Sequence, residues 1–171
     1  KIDKRHDFIE ELWTDRPKVP DAKVFEHELK FAGLSAREKI GMVRESMKKE
    51  HSDYYLISSL DDIAWLFNIR GGDVEYIPVT IAYALISMDD ACLFIDPVKV
   101  PEDVLSMLCG NGVTVLGYES VTERLKALEA GKSIAFDPDR TNCWLYDSIP
   151  SGCGKTETEE FVTKLKSVKN K

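Results

Sequence analysis

The chain has 171 residues, of which 43% are apolar and 31% charged, and its formal net charge is −7. This length fits one domain with a proper core, and the composition is that of an ordinary globular protein. The acidic balance argues against a general nucleic-acid binder, because neutralising phosphates requires a basic surface. No run approaches the ~18 apolar residues of a membrane-spanning helix. We therefore expect neither nucleic acid nor membrane as a partner.

The start of the chain and its cysteines indicate a reducing compartment. Residues 1–7 lack the apolar core of a signal peptide and are interpreted as a solvated helix or linker. No two cysteines have the spacing typical of zinc sites. Cys92 lies in an apolar run and Cys109 ends a helical pattern, so both are expected to pack as small hydrophobes. We predict free thiols and a cytoplasmic location.

Residues 1–34 are predicted to form an entry linker from a preceding domain. Its first part has apolar residues at helical spacing, and Pro17 and Pro20 then break the pattern. Residues 18–34 have no clear period, so we expect an extended, partly exposed connector. The helical stripe consists of Phe8, Ile9, Leu12 and Trp13.

Regular structure is predicted from Ser35 onward. Glu38 follows Ser35 at capping-box spacing, and an amphipathic helix is predicted over 36–50. Residues 54–57 form a short β-rich run, predicted to be buried on both faces. Residues 79–88 and 91–95 are two strand-like runs separated by two aspartates, which predicts an antiparallel hairpin.

Between that first strand and the hairpin lies a short apolar helix followed by a glycine turn. Ser59 and Asp62 have the spacing of a second capping box. Gly71 and Gly72 are expected to adopt backbone angles that other residues avoid. Such a turn presents polar side chains from a rigid support, and we place the functional surface there. The apolar residues of this helix are expected in the core: Ile63, Trp65, Leu66 and Phe67.

The second half of the chain alternates between helices and strands. Helices are predicted over 101–109, 120–130 and 142–146 and from 158 onward, with strands over 113–116 and 134–136. Alternation interrupted by one hairpin indicates an α/β layered domain with a mixed sheet. We predict this domain over 35–156, followed by a final helical segment over 157–171.

The sequence contains no complete set of catalytic or metal-binding residues. Residues 152–156 end like a phosphate-binding loop, but Ile149 occupies the position that requires glycine, so a turn before a helix is predicted. The three histidines (His6, His27 and His51) lack a second ligand at useful spacing. No serine lies in a nucleophile elbow and no cysteine has an evident histidine partner. We predict no catalytic residue and no metal ligand in this chain.

Three segments in order resemble one known family. Residues 60–79, with the sequence LDDIAWLFNIRGGDVEYIPV, resemble the signature of the second domain of three-domain Xaa-Pro aminopeptidases (aminopeptidase P). Residues 13–17 resemble the linker that leaves the first domain of that family. Residues 165–170 resemble the helix that leads into its catalytic domain. The resemblance implies a creatinase/prolidase N-terminal domain: an α/β, ribonuclease-H-like fold whose mixed β-sheet has helices on both faces.

The resemblance also implies a parent enzyme larger than this chain. That parent is a metallo-exopeptidase that releases the N-terminal residue from peptides with proline in second position. Two divalent metal ions, usually manganese, are held there by a following "pita-bread" domain, and the parent is a homodimer. The implied partner of this chain is that catalytic domain, and the implied role is to shape access to its active site. No cofactor and no catalytic residue are carried over to this chain.

The turn after the apolar helix supplies the candidate site residues: Asn68, Arg70 and Asp73. We predict that they face the substrate or the neighbouring domain, with Arg70 available to a peptide carbonyl or a carboxylate. An ion pair between Arg70 and Asp73 that only pins the loop is the alternative. For the whole chain, the alternatives are a domain of a prolidase-like or creatinase-like protein and a stand-alone interaction module.

Overall fold

A computed structural model describes residues 8–158 and 161–168. His6 and the predicted start at residues 1–7 lie outside the described residues, as does the end of the chain beyond residue 168. None of the helices described is long and apolar enough to cross a membrane. The α-helices are α1 (Phe8–Leu12), α2 (Leu29–Ala32), α3 (Ala36–Lys49), α4 (Leu60–Leu66), α5 (Glu102–Gly110), α6 (Val121–Lys126), α7 (Cys143–Ser148) and α8 (Phe161–Lys166).

The strands form one large mixed sheet and one small ribbon. The large sheet has six strands in the order β6-β5-β4-β2-β7-β8. Strands β2, β4 and β5 pair antiparallel, whereas β6, β7 and β8 join in parallel. The mixed sheet and the β4–β5 hairpin are therefore confirmed. The strands are β1 (Phe25–Glu26), β2 (Tyr54–Ile57), β3 (Ile69–Arg70), β4 (Ala82–Ser87), β5 (Ala91–Ile95), β6 (Thr114–Leu116), β7 (Ser133–Phe136) and β8 (Gly154–Glu157).

Both faces of the large sheet are covered by helices. Along β2, Tyr55 and Ile57 enter one hydrophobic cluster while Leu56 enters the other, as strand alternation requires. Helices α3, α4, α5 and α8 supply apolar side chains to the first cluster. Helices α6 and α7 supply them to the second. The prediction of helices on both faces is confirmed.

Two segments differ from their predictions because their partners are distant in the sequence. The expected connector over 18–34 contains β1, which pairs with β3, and α2, and Val24 is buried. Of the turn expected at 152–156, residues 152 and 153 do lie in a turn, whereas residues 154–157 form the edge strand β8, which pairs in parallel with β7. Its Lys155 Nζ lies 3.6 Å from the centroid of the Tyr146 ring.

The predicted capping boxes have different outcomes. Ser35 and Glu38 form both hydrogen bonds of the motif at the start of α3. At α4 the box is absent, because the Ser59 hydroxyl donates to Asp61 at 2.7 Å and no side chain caps the helix. The Asp62 carboxylate, fully buried, instead pairs with the amine of Lys166 on α8.

The cysteines are free, as predicted. Cys92 is buried in the sheet, and burial raises the pKa of its thiol. Cys109 is exposed, so its expected packing as a small hydrophobe is wrong. It lies on the solvent side of α5, whose buried face carries Val104 and Leu108. On α8, Phe161 is buried as expected, whereas Val168 lies beyond the helix end and is exposed.

Gly71 is required by close packing and not by backbone angle. Neither Gly71 nor Gly72 has a positive φ; in this turn the positive values belong to Asn68 (54°) and Tyr76 (66°). A Cβ on Gly71 would lie 2.9 Å from Thr80 Cβ and 3.1 Å from the Val79 carbonyl oxygen. The expected role of the glycine pair as a source of unusual backbone angles is therefore wrong.

We predict that Gly71→Ala lowers the free energy of unfolding by about 1–3 kcal/mol, because the added methyl group overpacks the contact with Thr80. Gly72→Ala is the matched control, since its Cβ would meet only Ala22 Cβ at 3.5 Å, an ordinary contact. Urea denaturation of both variants measures the difference. Equal stability of the two variants would contradict the packing argument.

Candidate functional site

The candidate site is the turn that connects α4 to β4. Asn68 begins the turn in the left-handed region, directly after the carboxyl end of α4. Strand β3 follows and pairs with β1, so that Phe25 lies opposite Arg70 and Glu26 opposite Ile69. The turn is therefore held by main-chain hydrogen bonds on the side of the entry segment.

The Asn68 side chain points into the fold and links the turn to Leu34 and Lys39. Only 5% of the residue is exposed. Its Nδ2 donates to the Leu34 carbonyl oxygen at 2.8 Å, and its Oδ1 accepts from Lys39 Nζ at 2.5 Å. Its carbonyl oxygen also accepts from the backbone N–H of His27 at 2.7 Å. Both polar ends of the side chain are therefore hydrogen-bonded inside the fold.

Lys39 is a buried amine with uncharged partners. The residue is 2% exposed, and Nζ donates to the Trp65 carbonyl oxygen at 2.9 Å as well as to Asn68. Nζ also lies 4.3 Å from the centroid of the Trp65 ring, a favourable cation–π arrangement. Burial, and then the charge of Arg70, lower the pKa of Lys39 to about 8. None of the described carboxylates pairs with this amine.

Arg70 is half-buried and anchored through one end of its guanidinium. Nη1 donates to the carbonyl oxygens of Ala64 and Ile69, both at 2.8 Å. Within the described ranges, Nε and Nη2 have no hydrogen-bond partner. Burial lowers the pKa of Arg70, which nevertheless keeps its charge.

Asp73 closes the other end of the turn from inside the fold. Its side chain is fully buried and pairs with Lys99 Nζ at 2.7 Å, with Lys99 only 3% exposed. The same Oδ2 accepts from Thr80 Oγ1 at 2.9 Å and from the Ile81 N–H at 2.7 Å. The suggested ion pair between Arg70 and Asp73 is therefore wrong, since the partner of Asp73 is Lys99.

His27 adds a third basic group beside the turn. The ring is half-buried and stacks on Phe31 with centroids 5.9 Å apart. Burial, and then the charges of Arg70 and Lys39, lower the pKa of His27, and Glu28 opposes them. Over 8–158 and 161–168, no group of three or more His, Cys, Asp or Glu side chains is placed to hold a metal ion.

The structure places the three predicted site residues in one turn, and two of their side chains are buried. Asn68 and Asp73 are buried, so of the three candidates only Arg70 has donors left for a partner outside the described structure. That any of them faces a substrate stays a prediction. Lys39 was missed, although it lies on the buried face of α3 with Ile40 and Val43, where a charged residue stands out.

The fold and the buried ion pairs indicate a structural domain of the α/β class. The chain is an α/β domain with a mixed sheet, in which buried charges serve the fold and the described residues offer no metal centre. Residues 15–171 match the family model of the creatinase/prolidase N-terminal domain. The chain belongs to this family.

The chain is similar to part of several longer proteins. It is 34% identical over 172 residues to a probable Xaa-Pro aminopeptidase P of Leptosphaeria maculans, covering 95% of this chain and 28% of that protein. It is 34% identical over 148 residues to aminopeptidase P2 of Arabidopsis thaliana, covering 85% of this chain and 21% of that protein. The chain thus spans less than a third of the length of these relatives.

Solved structures of other proteins have a domain with the same fold as this chain. The X-prolyl aminopeptidase of Caenorhabditis elegans, described as a cytosolic enzyme with a di-nuclear active site, superposes with a TM-score of 0.86 at 26% identity. The match covers 96% of this chain and 28% of that one. An Xaa-Pro dipeptidase of Bacillus anthracis has a TM-score of 0.59 at 18% identity, with 80% of this chain and 37% of that one covered, and shares the fold alone.

We predict that Lys99→Met lowers the free energy of unfolding by about 3–5 kcal/mol, because the Asp73 carboxylate is left buried without its cation. Lys132→Met is the control: its pair with Asp53 is also direct, at 3.0 Å, but the two side chains are 43% and 38% exposed. That loss should be much smaller, because water already solvates both charges of the exposed pair. Urea denaturation decides, and similar losses would contradict the buried-pair argument.

We predict that Lys39 titrates with a midpoint near pH 8, as its pKa of about 8 indicates. Between pH 8 and 10.5 the unfolded chain then binds more protons at this site than the folded one. Stability therefore rises with pH in that window, by up to about 1.4 kcal/mol per pH unit.

An NMR titration of the lysine side chains measures this midpoint directly. Lys132 is the internal control, because its hydrogen bond with Asp53 raises the pKa of its amine above the ordinary value. A midpoint for Lys39 at or above that of Lys132 would contradict the assignment of Lys39 as a buried cation without a carboxylate partner.

Proposed function

We propose that this chain is the second domain of a three-domain, metal-dependent Xaa-Pro aminopeptidase, and that it is a non-catalytic domain that shapes access to the active site. The observation that carries the proposal is the extent of the match: 95% of the chain aligns with 28% of a probable Xaa-Pro aminopeptidase P. In this proposal residues 1–34 enter from a first domain, and residues 157–171 lead towards the catalytic one.

The remaining parts of the proposal concern the longer polypeptide. It releases the N-terminal residue from peptides with proline in second position, as a cytoplasmic homodimer. Two divalent metal ions, proposed to be manganese, would be held by its catalytic domain, where they would activate water for peptide hydrolysis. A relative described as a cytosolic enzyme with a di-nuclear active site supports this assignment. The residues described here provide no ligand set for those ions.

The proposed role is steric, because an exopeptidase for short peptides must exclude folded proteins and seat a free amino end. A rigid wall over the mouth of the active site does both. The α4–β4 turn suits such a wall, since Asn68 and Asp73 fasten it from inside and Arg70 keeps donors for a partner. Buried lysines hold the wall in place and take no part in chemistry.

We predict that Arg70→Gln in the longer polypeptide lowers kcat/KM for an Xaa-Pro peptide about tenfold or more, since a hydrogen bond to a charged group contributes about 1.5–3 kcal/mol. Arg124→Gln is the matched control, because Arg124 is exposed and pairs with Asp90 on the surface of the sheet. Unchanged kinetics for Arg70→Gln, with normal stability, would remove Arg70 from the proposed wall.

The reading frame beyond residue 171 tests the wider proposal. Asp, His and Glu ligands in a following domain are expected, and a stop codon would favour the stand-alone interaction module. Ligands accompanied by activity on creatine-like substrates or on dipeptides alone would favour a creatinase-like or prolidase-like protein. The isolated chain with added manganese should show only background hydrolysis of an Xaa-Pro peptide, and metal-dependent turnover would overturn its non-catalytic role.

A further inference from the structure

The guanidinium of Arg70 has one occupied end and one open edge. An arginine side chain has five N–H donors in a planar fork. The two on Nη1 are used by the carbonyl oxygens of Ala64 and Ile69 at 2.8 Å. This leaves three donors, Nε–H and the two on Nη2, of which Nε–H and one Nη2–H form the edge that matches both oxygens of a carboxylate. Among the described residues nothing occupies that edge.

The open edge is held in a fixed place. Arg70 lies opposite Phe25 in the β1–β3 ladder, so its backbone is paired. The bond to Ala64 ties the guanidinium to the end of α4, a helix that is largely buried. A donor pair that is fixed before binding loses little conformational entropy when a ligand arrives. This makes the edge a better binding group than a flexible surface arginine.

The charge around Arg70 is not neutralised within the described structure. Lys39 has uncharged partners, and the buried Asp73 belongs to Lys99. The end of α4 offers about half a negative charge through its dipole, against two cations. Glu28, which acts on His27 from beside the site, already pairs with Lys30 at 2.8 Å. Binding of an anion would therefore reduce the electrostatic repulsion between Arg70 and Lys39.

We propose that Arg70 binds a carboxylate side-on through Nε and Nη2, with Lys39 as a second positive charge behind it and His27 beside it. The proposal deepens the proposed function and rests on it for biological meaning, because it names the chemistry that the wall recognises. The carboxylate comes from the C-terminus of a short peptide or from an acidic side chain of the neighbouring domain. The geometry of the site is the same for both sources.

The test uses the 171-residue chain labelled with ¹⁵N and follows the Nε–Hε NMR signals of its arginines. Sodium acetate is added, with sodium chloride at equal ionic strength as the control, and Arg70→Lys assigns the signal. We expect a saturable shift of the Arg70 signal with acetate only, and no comparable shift at Arg124, which already has Asp90 as a partner. No shift at Arg70, or the same shift with chloride, would overturn the proposal.

Two further arms distinguish the sources of the carboxylate. A Gly-Pro-Ala tripeptide is compared with its C-terminal amide; stronger binding of the acid than of acetate indicates a peptide ligand. In the longer polypeptide, an Arg70 signal already at its acetate-bound position and insensitive to added acetate indicates an acidic side chain of the neighbouring domain. If the tripeptide acid and its amide shift the signal equally, a carboxylate is not what is recognised and the proposal fails.

Variants measure the contribution of each cation. Arg70→Lys lacks the Nε–Hε signal, so its acetate binding is followed through the backbone amide signals of residues 69–71. It should be about tenfold weaker, because a lysine ammonium is a point charge without the planar fork. Lys39→Met should weaken it less while leaving the shift in place, provided the amide spectrum shows a folded chain. Loss of acetate binding with unchanged kinetics of the longer polypeptide would sink the proposed function but not this site. Unchanged acetate binding together with altered kinetics of the longer polypeptide would contradict this site alone.

Discussion

Two buried lysine amines fix the turn on which the rest of the site depends. Lys39 holds Asn68 where the turn begins, and Lys99 holds Asp73 where it ends. Taking an ammonium out of water costs several kcal/mol, so such groups persist only where good hydrogen bonds compensate. Here the compensation comes from Asn68 and Asp73 of the turn and from the Trp65 carbonyl oxygen of α4, so both ends of the turn are held in place. Arg70 lies between the two fastened ends and inherits their rigidity.

This arrangement explains why the domain has charged residues in its interior without having an active site. The buried carboxylate of Asp62 pairs with Lys166 of α8, and that of Asp73 pairs with Lys99. Both ion pairs therefore have a structural role. Asp73 Oδ1 is buried without a hydrogen-bond partner, but among the described residues it belongs to no group of three or more metal-ligating side chains. The first pair also joins α8 to the start of α4, while Arg70 is tied to its end. One short helix thus links the last described element to the candidate site.

The sequence predicted what is local and missed what is paired at a distance. The Ser35 box, the hairpin and the alternation of helices and strands follow from neighbouring residues, and the structure contains all three. Strand β8 was missed because its hydrogen bonds come from β7, about twenty residues earlier. At the site, the sequence located the turn, but no spacing rule connects Asp73 with Lys99, 26 residues away. The sequence also did not show that the side chains of Asn68 and Asp73 are buried.

The remaining question is why Arg70 is not simply a cap for the carboxyl end of α4. A cap needs donors for the last carbonyl oxygens, and the Nη1 group with Lys39 already supplies Ala64 and Trp65. One cation would suffice for that purpose, whereas the fold brings three basic groups together in a chain whose net charge is −7. Two of these groups, Arg70 and Lys39, are cations held close together beside an open donor edge, an arrangement that favours the approach of an anion. The cap accounts for one end of the guanidinium, and the proposed carboxylate would account for the other.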